Sequence, residues 1–588
     1  MNKQLLVLLC SATIGLSACA SPKPTNTTNP TNTSPISDQA KVAENVDYAT
    51  FLNNLFIEEL ENDYDTYHTY VQNVNDFNID PSKIEVSLGD FYSEESDEKE
   101  RLRDQANLEQ LKTYDYNSMN EEEKDIYDQL VYTYERNERM GDSKYDYLGC
   151  IWSGTSSASK NLYNLFMEYS FYSERDIEDC ITLINDVPRY IGQVMSFTKD
   201  QAQKGLLMIN YDTVVSEVND IIKSKEKKNV LNALVKAMDS LNLDEEKKKS
   251  YSSRLEEALN TKFYPAYQTI VDELAKIKGS NKEHVGLAKL ENGKEYYLEL
   301  LRYYTGTEDS PEDIRTKLKK IVNDAMSVIY TTYSDDTLST GFKSTEDVMK
   351  FLEENYKQEF PEIKIPTYNV EALSAEQEQE NVVAYYVIPA IDYTGSEKIR
   401  YNSHNTRANI DSLEFYQTLA HEGIPGHMYA HEYFREHFNY NIRYLLSNLG
   451  LSEGYATYVE SRGLHFLNLD KDALKFENAY MALNNAYTCL MDISVNYDGM
   501  SYREFQKEYS DLFGNDLTDL YNTLCESPGI FMAYYYGYFS ILELRQEAQK
   551  ELGNKFDNVK FNAAILDAGE VNFDIVKRHV QQYIQTNK

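Results

Sequence analysis

Along most of the chain, apolar residues return every three or four positions, the period of a helix that buries one face. SPEDIRTKLKKIVNDAMSVI is a clear case. Ser310 suits an N-cap, Pro311 the first helical position, and Ile314, Leu318, Ile321, Ala325 and Ile329 fall on one stripe. The pattern dominates from about Ala43 onward and predicts an all-α protein. A further helix is predicted to start at Pro528, with Ser527 as its cap, and to stop at Gly553. Tyr534, Tyr538, Ile541 and Arg545 share one of its stripes. One region breaks the period. Val382 to Tyr401 is rich in Val, Ile and Tyr around a Tyr-Thr-Gly-Ser turn, and predicts a small β-sheet.

The N-terminus carries a different pattern. Lys3 precedes an apolar run from Leu5 to Leu16, too short to span a bilayer but suited to a secretory signal. Leu16-Ser17-Ala18-Cys19 is similar to a bacterial lipobox, whose cysteine receives a diacylglycerol and becomes the mature N-terminus; a plain signal cut nearby is the other reading. Residues 1–18 are thus expected to be a signal peptide. Residues 19–40, Cys19 and a run of Pro, Thr, Asn and Ser, would form a lipidated, flexible tether. The expected location is outside the cytoplasm, on the cell membrane.

Charge narrows the partners. The 58 basic and 96 acidic residues leave a net charge of −38, a surface that repels nucleic-acid phosphates and anionic headgroups. Nucleic-acid binding is not expected, and membrane attachment falls to the lipid alone. Cys150, Cys180, Cys489 and Cys525 lie far apart with no CxxC, so they read neither as a zinc nor as a disulfide framework.

The candidate chemistry lies in HEGIPGH, His421 to His427. A zinc hydrolase needs imidazoles aimed at one point, a third ligand, an open position, and a carboxylate to take a proton from water. HExxH meets the first need by spacing two histidines four apart on one helix. Six apart, His421 and His427 would point about 240° away from each other on a regular helix. Pro425 and Gly426 change this: proline breaks the hydrogen-bond ladder and glycine permits unusual dihedrals, so two residues can bulge and His427 can return to the face of His421.

HEYFREH, His431 to His437, has the same spacing without Pro or Gly, so its histidines should diverge. His431, Glu432 and His437 therefore read as surface residues or supports for the ligands. His427 and His431, four apart, could also share a metal, but no glutamate follows His427. For the third ligand, LSEGYATYVESRG offers Glu453 and Glu460, seven apart on one face. One could bind while the other orients a histidine. Gly454 beside Glu453 allows close approach and favours Glu453. A tyrosine on the C-terminal helix could stabilise an oxyanion. His404 and Arg407, just before the motif, could face the cleft or serve structure.

These stretches together resemble a large bacterial family of unknown function marked by HExxPGH. The further matches are EGYATYVE (453–460), PGIFMAYYYGYFSILELR (528–545) and GLAKLENGKEYYLELLRYYTGT (286–307), so the resemblance spans essentially the whole mature chain. The family in turn resembles the helical gluzincin metallopeptidases, such as thimet oligopeptidase and angiotensin-converting enzyme. The resemblance implies a two-lobed helical body with a central channel and one Zn2+ per chain. It implies His421, His427 and Glu453 as ligands, Glu422 as base and Glu460 as support. The family motif points to Tyr534 as the oxyanion group, while the oligopeptidase likeness also allows Tyr535 or Tyr538. Two departures stand out: EGW is EGY here, and Asn496 stands where many members have a histidine.

The expectation is a lipid-anchored zinc peptidase, with residues 41–365 as an N-terminal lobe and 366–588 as the zinc-binding catalytic lobe. Short or unfolded peptides are the expected substrates. A hydrolase of another amide or ester, or a non-catalytic zinc- or solute-binding lipoprotein, are the rivals. Glu422 weighs against the last, since a pure metal binder needs no base beside its ligand.

Overall fold

The structure, a computed structural model, describes residues 46–153, 157–332, 338–374, 377–378 and 382–588. The lipobox with Cys19 and the tether lie outside the described residues. The protein is all-α, with one three-stranded sheet among the described residues. Helix Pro311–Ile329 forms as its pattern dictates. Ser310 Oγ accepts from Asp313 N at 3.2 Å, Asp313 takes the Ser310 N–H in return at 3.3 Å, and Pro311 opens the first turn. Ile314, Leu318, Ala325 and Ile329 are buried along its inner face.

Two large hydrophobic cores organise the chain. One runs from Tyr48 to Leu274, with Ile442 and Leu446 reaching in from the C-terminal part. The other takes residues from Leu287 to Ile584, joined by Tyr145 and Leu148. Side chains of helices Gly293–Thr305 and Thr345–Asn355, which precede residue 365, thus pack into the core that also holds the HEGIPGH region. Cys150, Cys180, Cys489 and Cys525 are free thiols. Among the described residues no helix is long and apolar enough to cross a membrane.

The sheet comprises β1 (Tyr368–Ala372), β2 (Ala384–Val387) and β3 (Glu397–Tyr401), in the order β1-β3-β2. β2 and β3 are antiparallel, as the pattern from Val382 to Tyr401 predicts, while β1 adds in parallel on the far side of β3. β2 is therefore an edge strand.

Five helices carry the site or pack against those that do: α1 (Leu413–Glu422), α2 (His427–His437), α3 (Leu449–Gly463), α4 (Lys471–Asn496) and α5 (Ile530–Leu552). α5 starts later than its sequence suggests. Gly529 takes φ +83°, which ends any continuous helix from Pro528, and Ser527 closes the preceding helix by donating to Thr523 O at 2.9 Å. Gly553 does terminate α5. α3 and α5 cross where both lack side chains: a Cβ on Gly454 would lie 2.5 Å from the Gly537 carbonyl carbon. That close approach brings the tyrosines of α5 against the helix bearing Glu453 and Glu460.

Candidate metal centre

The break between α1 and α2 is the local feature on which everything else depends. α1 ends at Glu422. Gly423 (φ −109°, ψ −103°) and Gly426 (φ −84°, ψ −134°) leave helical space on either side of a cis Ile424–Pro425 peptide, and α2 begins at His427. Two bonds tie the break together, Gly426 N to Ala420 O at 3.0 Å and Tyr429 N to Gly423 O at 3.1 Å. Only glycine fits at 426, because a Cβ there would sit 1.8 Å from the His421 carbonyl oxygen. From α3, the Tyr455 hydroxyl donates to Pro425 O at 2.9 Å. The result is that the His421 and His427 rings meet edge to face, centroids 4.9 Å apart and planes at 77°.

Glu453 completes the cluster. Nε2 of His421 and Nε2 of His427 each lie 3.4 Å from the same oxygen, Glu453 Oε2. Donors bound tetrahedrally to zinc at about 2.0–2.1 Å stand about 3.4 Å apart, and both of these separations match that value. All three side chains are buried, and neither Nε2 has a hydrogen-bond partner. Buried polar atoms are normally satisfied, so two unpartnered nitrogens beside one carboxylate oxygen are a donor set suited to a shared cation. Glu460 supports the arrangement, with Oε1 2.7 Å from His421 Nδ1. A proton held on Nδ1 by this carboxylate leaves Nε2 with its lone pair facing the other donors.

The local charges follow the same logic. Burial opposes the His421 imidazolium, but the carboxylates of Glu453, Glu460 and Glu422 outweigh it and raise its pKa well above the ordinary range. Burial would likewise raise Glu453, yet His427 and His421 bring it down to about 2. The cluster is thus an anionic pocket that attracts positive charge, whether protons or a metal.

Glu422 stands beside this pocket without joining it. Its Oε1 is 3.9 Å from His421 Nε2, and its Oε2 accepts the backbone N–H of Tyr386 on the edge strand β2 at 3.0 Å. Tyr386 is itself anchored, its hydroxyl donating to Glu397 Oε2 on β3 at 2.7 Å. Burial pushes the Glu422 carboxyl up, partly offset by the two histidines. A carboxylate raised this way is more basic than one in water, which suits proton transfer.

The remaining candidates separate. The Tyr534 ring is buried and nearly parallel to that of His421, centroids 6.3 Å apart. Tyr535 stacks on Phe531, and Tyr538 packs on Phe539 beside Ser461 and Arg462. Arg545 lies elsewhere: it donates to the Tyr458 hydroxyl at 2.9 Å and to Asn558 at 2.5 Å, clamping α5 to its neighbours. His404 is exposed and pairs with Glu378 at 2.7 Å, outside the cluster. Arg407 lies 3.8 Å from Glu414. Asn496 is buried in a structural role, accepting from Leu287 N and donating to Asp492 and to Leu524 O. His437 is exposed, with Nδ1 2.8 Å from Tyr433 O. His431 is half-buried, with both its ring nitrogens sealed from solvent.

Two residues near the centre had no sequence signal. Tyr386 acts through its backbone, which no side-chain motif reveals. Glu570 accepts from Ser452 Oγ at 2.9 Å and lines a small pocket with His427; it lies far from any motif in the sequence.

Two solved structures share the fold. The "putative lipoprotein from Colwellia psychrerythraea" superposes with a TM-score of 0.74 at 16% identity, covering 92% of this chain and 98% of that one. A "putative lipoprotein of unknown function from Shewanella oneidensis" gives 0.54 at 15% identity, covering 91% and 99%. No curated protein matches the chain. A sequence model of one family matches residues 79–580, and the chain belongs to that family, described as "Bacterial protein of unknown function (DUF885)".

Proposed function

We propose that this protein is a zinc-dependent peptidase. The observation that carries the reading is the buried trio of His421, His427 and Glu453, with two unpartnered imidazole nitrogens 3.4 Å from one carboxylate oxygen and a separate glutamate at its side. These three would hold the ion, which when bound supplies a Lewis acid for a substrate carbonyl and makes a nearby water more acidic. Glu422 takes the proton of the attacking water and passes it to the leaving amine. Glu460 keeps His421 in the tautomer that presents Nε2. Tyr534, stacked beside His421, is the group of α5 best placed to donate to a developing oxyanion. Short or unfolded peptides are the substrate class implied by the gluzincin likeness.

The test is a peptide library read by mass spectrometry, run on wild type and Glu422→Gln. Cleavage by wild type and its loss in a variant that keeps its zinc supports the reading. A wild-type protein that holds zinc and cleaves nothing favours a binding role.

We also propose that the chain is exported and held at the membrane by a lipid on Cys19. The lipobox and the lipoprotein descriptions of both structural relatives support this. Cys19→Ala should move the protein from the membrane to the soluble fraction, and a variant that still pellets fully with membranes excludes the anchor.

A further inference from the structure

Among the described residues, only three histidines have ring nitrogens that are both sealed from solvent and without a hydrogen-bond partner: His421, His427 and His431. The first two belong to the centre above. His431 lies one turn beyond His427 on α2, and a nitrogen of its ring, an oxygen of Glu432 and an oxygen of Glu397 on β3 all fall within 4.8 Å of one another. Glu397 is 1% exposed. We propose that Glu397, His431 and Glu432 form a second divalent-cation site beside the first.

The competing explanation is a buried ion triad. Arg435 Nη1 lies 2.5 Å from Glu432 and 3.4 Å from Glu397, and the Tyr386 hydroxyl donates to Glu397. That network supplies one positive charge to the two carboxylates. It leaves His431 unexplained, because an imidazole flanked by the rings of Tyr386 and Tyr444 has neither nitrogen satisfied. A cation would take one of these nitrogens together with an oxygen from each carboxylate. Arg435 need not leave when the carboxylates turn toward an ion, since it also donates to the carbonyl oxygens of Ile391 and Tyr393.

One imidazole with two carboxylates suits a borderline-to-hard ion such as Zn2+ or Mn2+. The site would not be isolated from the first. Glu397 anchors the Tyr386 ring, and the Tyr386 backbone N–H holds Glu422, so an ion that draws Glu397 inward acts on the group holding the base.

The experiment is metal stoichiometry. The full-length protein is equilibrated with Zn2+ alone or Mn2+ alone, washed free of loosely held ion and assayed by elemental analysis. Wild type should hold two equivalents of at least one of these ions, His421→Ala one, His431→Ala one, and the double variant none. Glu432→Gln, at the more accessible edge of the cluster, should also drop to one and guards against a His431→Ala protein that fails to fold. Wild type that saturates at one equivalent of either ion overturns the proposal. So does a second equivalent that survives in both His431→Ala and Glu432→Gln. If His421→Ala loses nothing while His431→Ala loses one equivalent, the peptidase centre fails and the second site stands.

Discussion

HEGIPGH and HEYFREH sit four residues apart and share one spacing, yet they end in opposite geometries. In the first, the chain leaves helical dihedrals at Gly423 and Gly426, and the two histidines converge on Glu453. In the second, α2 runs unbroken from His427 through His437, and the ends part: His431 turns inward while His437 stacks on Tyr433 in solvent. At identical spacing, the two histidines of a stretch therefore converge on one point only where the backbone between them is interrupted. The dipeptide in the middle decides, and the histidines follow.

The largest effect should come from the residue that separates a hydrolase from a metal binder. Glu422→Gln keeps shape and the Tyr386 contact's acceptor but removes basicity, so turnover should fall about 10²–10⁴-fold with zinc content unchanged. Peptide hydrolysis and elemental analysis on the same sample check this. A variant at full rate excludes the proposed base.

Next comes the interruption itself. Gly426→Ala forces a Cβ to within 1.8 Å of the His421 carbonyl oxygen, a clash with backbone that cannot be relieved by a rotamer change. The turn must open, at a cost of about 1–3 kcal/mol, and His421 and His427 should no longer meet. The zinc equivalent held by His421, His427 and Glu453 should be lost, together with a lowered melting temperature. Full occupancy in this variant would show that convergence does not depend on the turn.

Much of this centre was legible because it is encoded by side-chain identity at short range. Pro-Gly between histidines signals a break, and glutamates seven apart signal one face, so the sequence alone groups His421, His427, Glu453 and Glu460. Contacts made by backbone or across long separations were not legible. Tyr386 meets Glu422 through a peptide N–H, Glu570 reaches Ser452 across 118 residues, and β1 is a half-exposed YNVEA strand with no apolar run to mark it. His404 and Arg545 looked eligible by residue type, but type says nothing about direction. His404 points to solvent and Arg545 to Tyr458. The late start of α5 has a similar cause, since Gly529 was free to take a positive φ that Pro528 alone did not announce.

The support beneath His421 should matter less than the ligands do. Glu460→Gln keeps a hydrogen-bond acceptor near Nδ1 but loses the charge, and should weaken zinc binding about 10–100-fold, read by competition with a chelator. Acid should act through the same residues. In metal-free protein, His421 has its pKa raised, so its pairing with Glu453 adds stability below about pH 6.5 that is lost as pH rises through the raised value. Glu453, held at about 2, adds stability above about pH 4.5 that is lost as pH falls toward 2. Between those limits protons already fill the pocket. The gain in melting temperature on adding zinc should therefore be smallest near pH 5 and widen toward pH 8. A gain that stays flat or shrinks across that range would mean that zinc does not compete with these protons.

The smallest effect should come from the far end of the second stretch, and its smallness is what makes it informative. His437 is exposed, its Nδ1 is 2.8 Å from Tyr433 O within its own helix, and its ring lies flat on Tyr433 at 3.9 Å. His437→Ala removes a solvent-facing stack and a local contact, which is worth at most about 0.5 kcal/mol at the surface. Zinc content and hydrolysis should both stay at wild-type levels, because nothing connects this ring to the Pro-Gly turn except the unbroken helix that carries it away. If His437→Ala instead loses zinc, the second stretch is not the divergent copy described here, and His-Glu-x4-His spacing must bring histidines together by some route other than a broken helix.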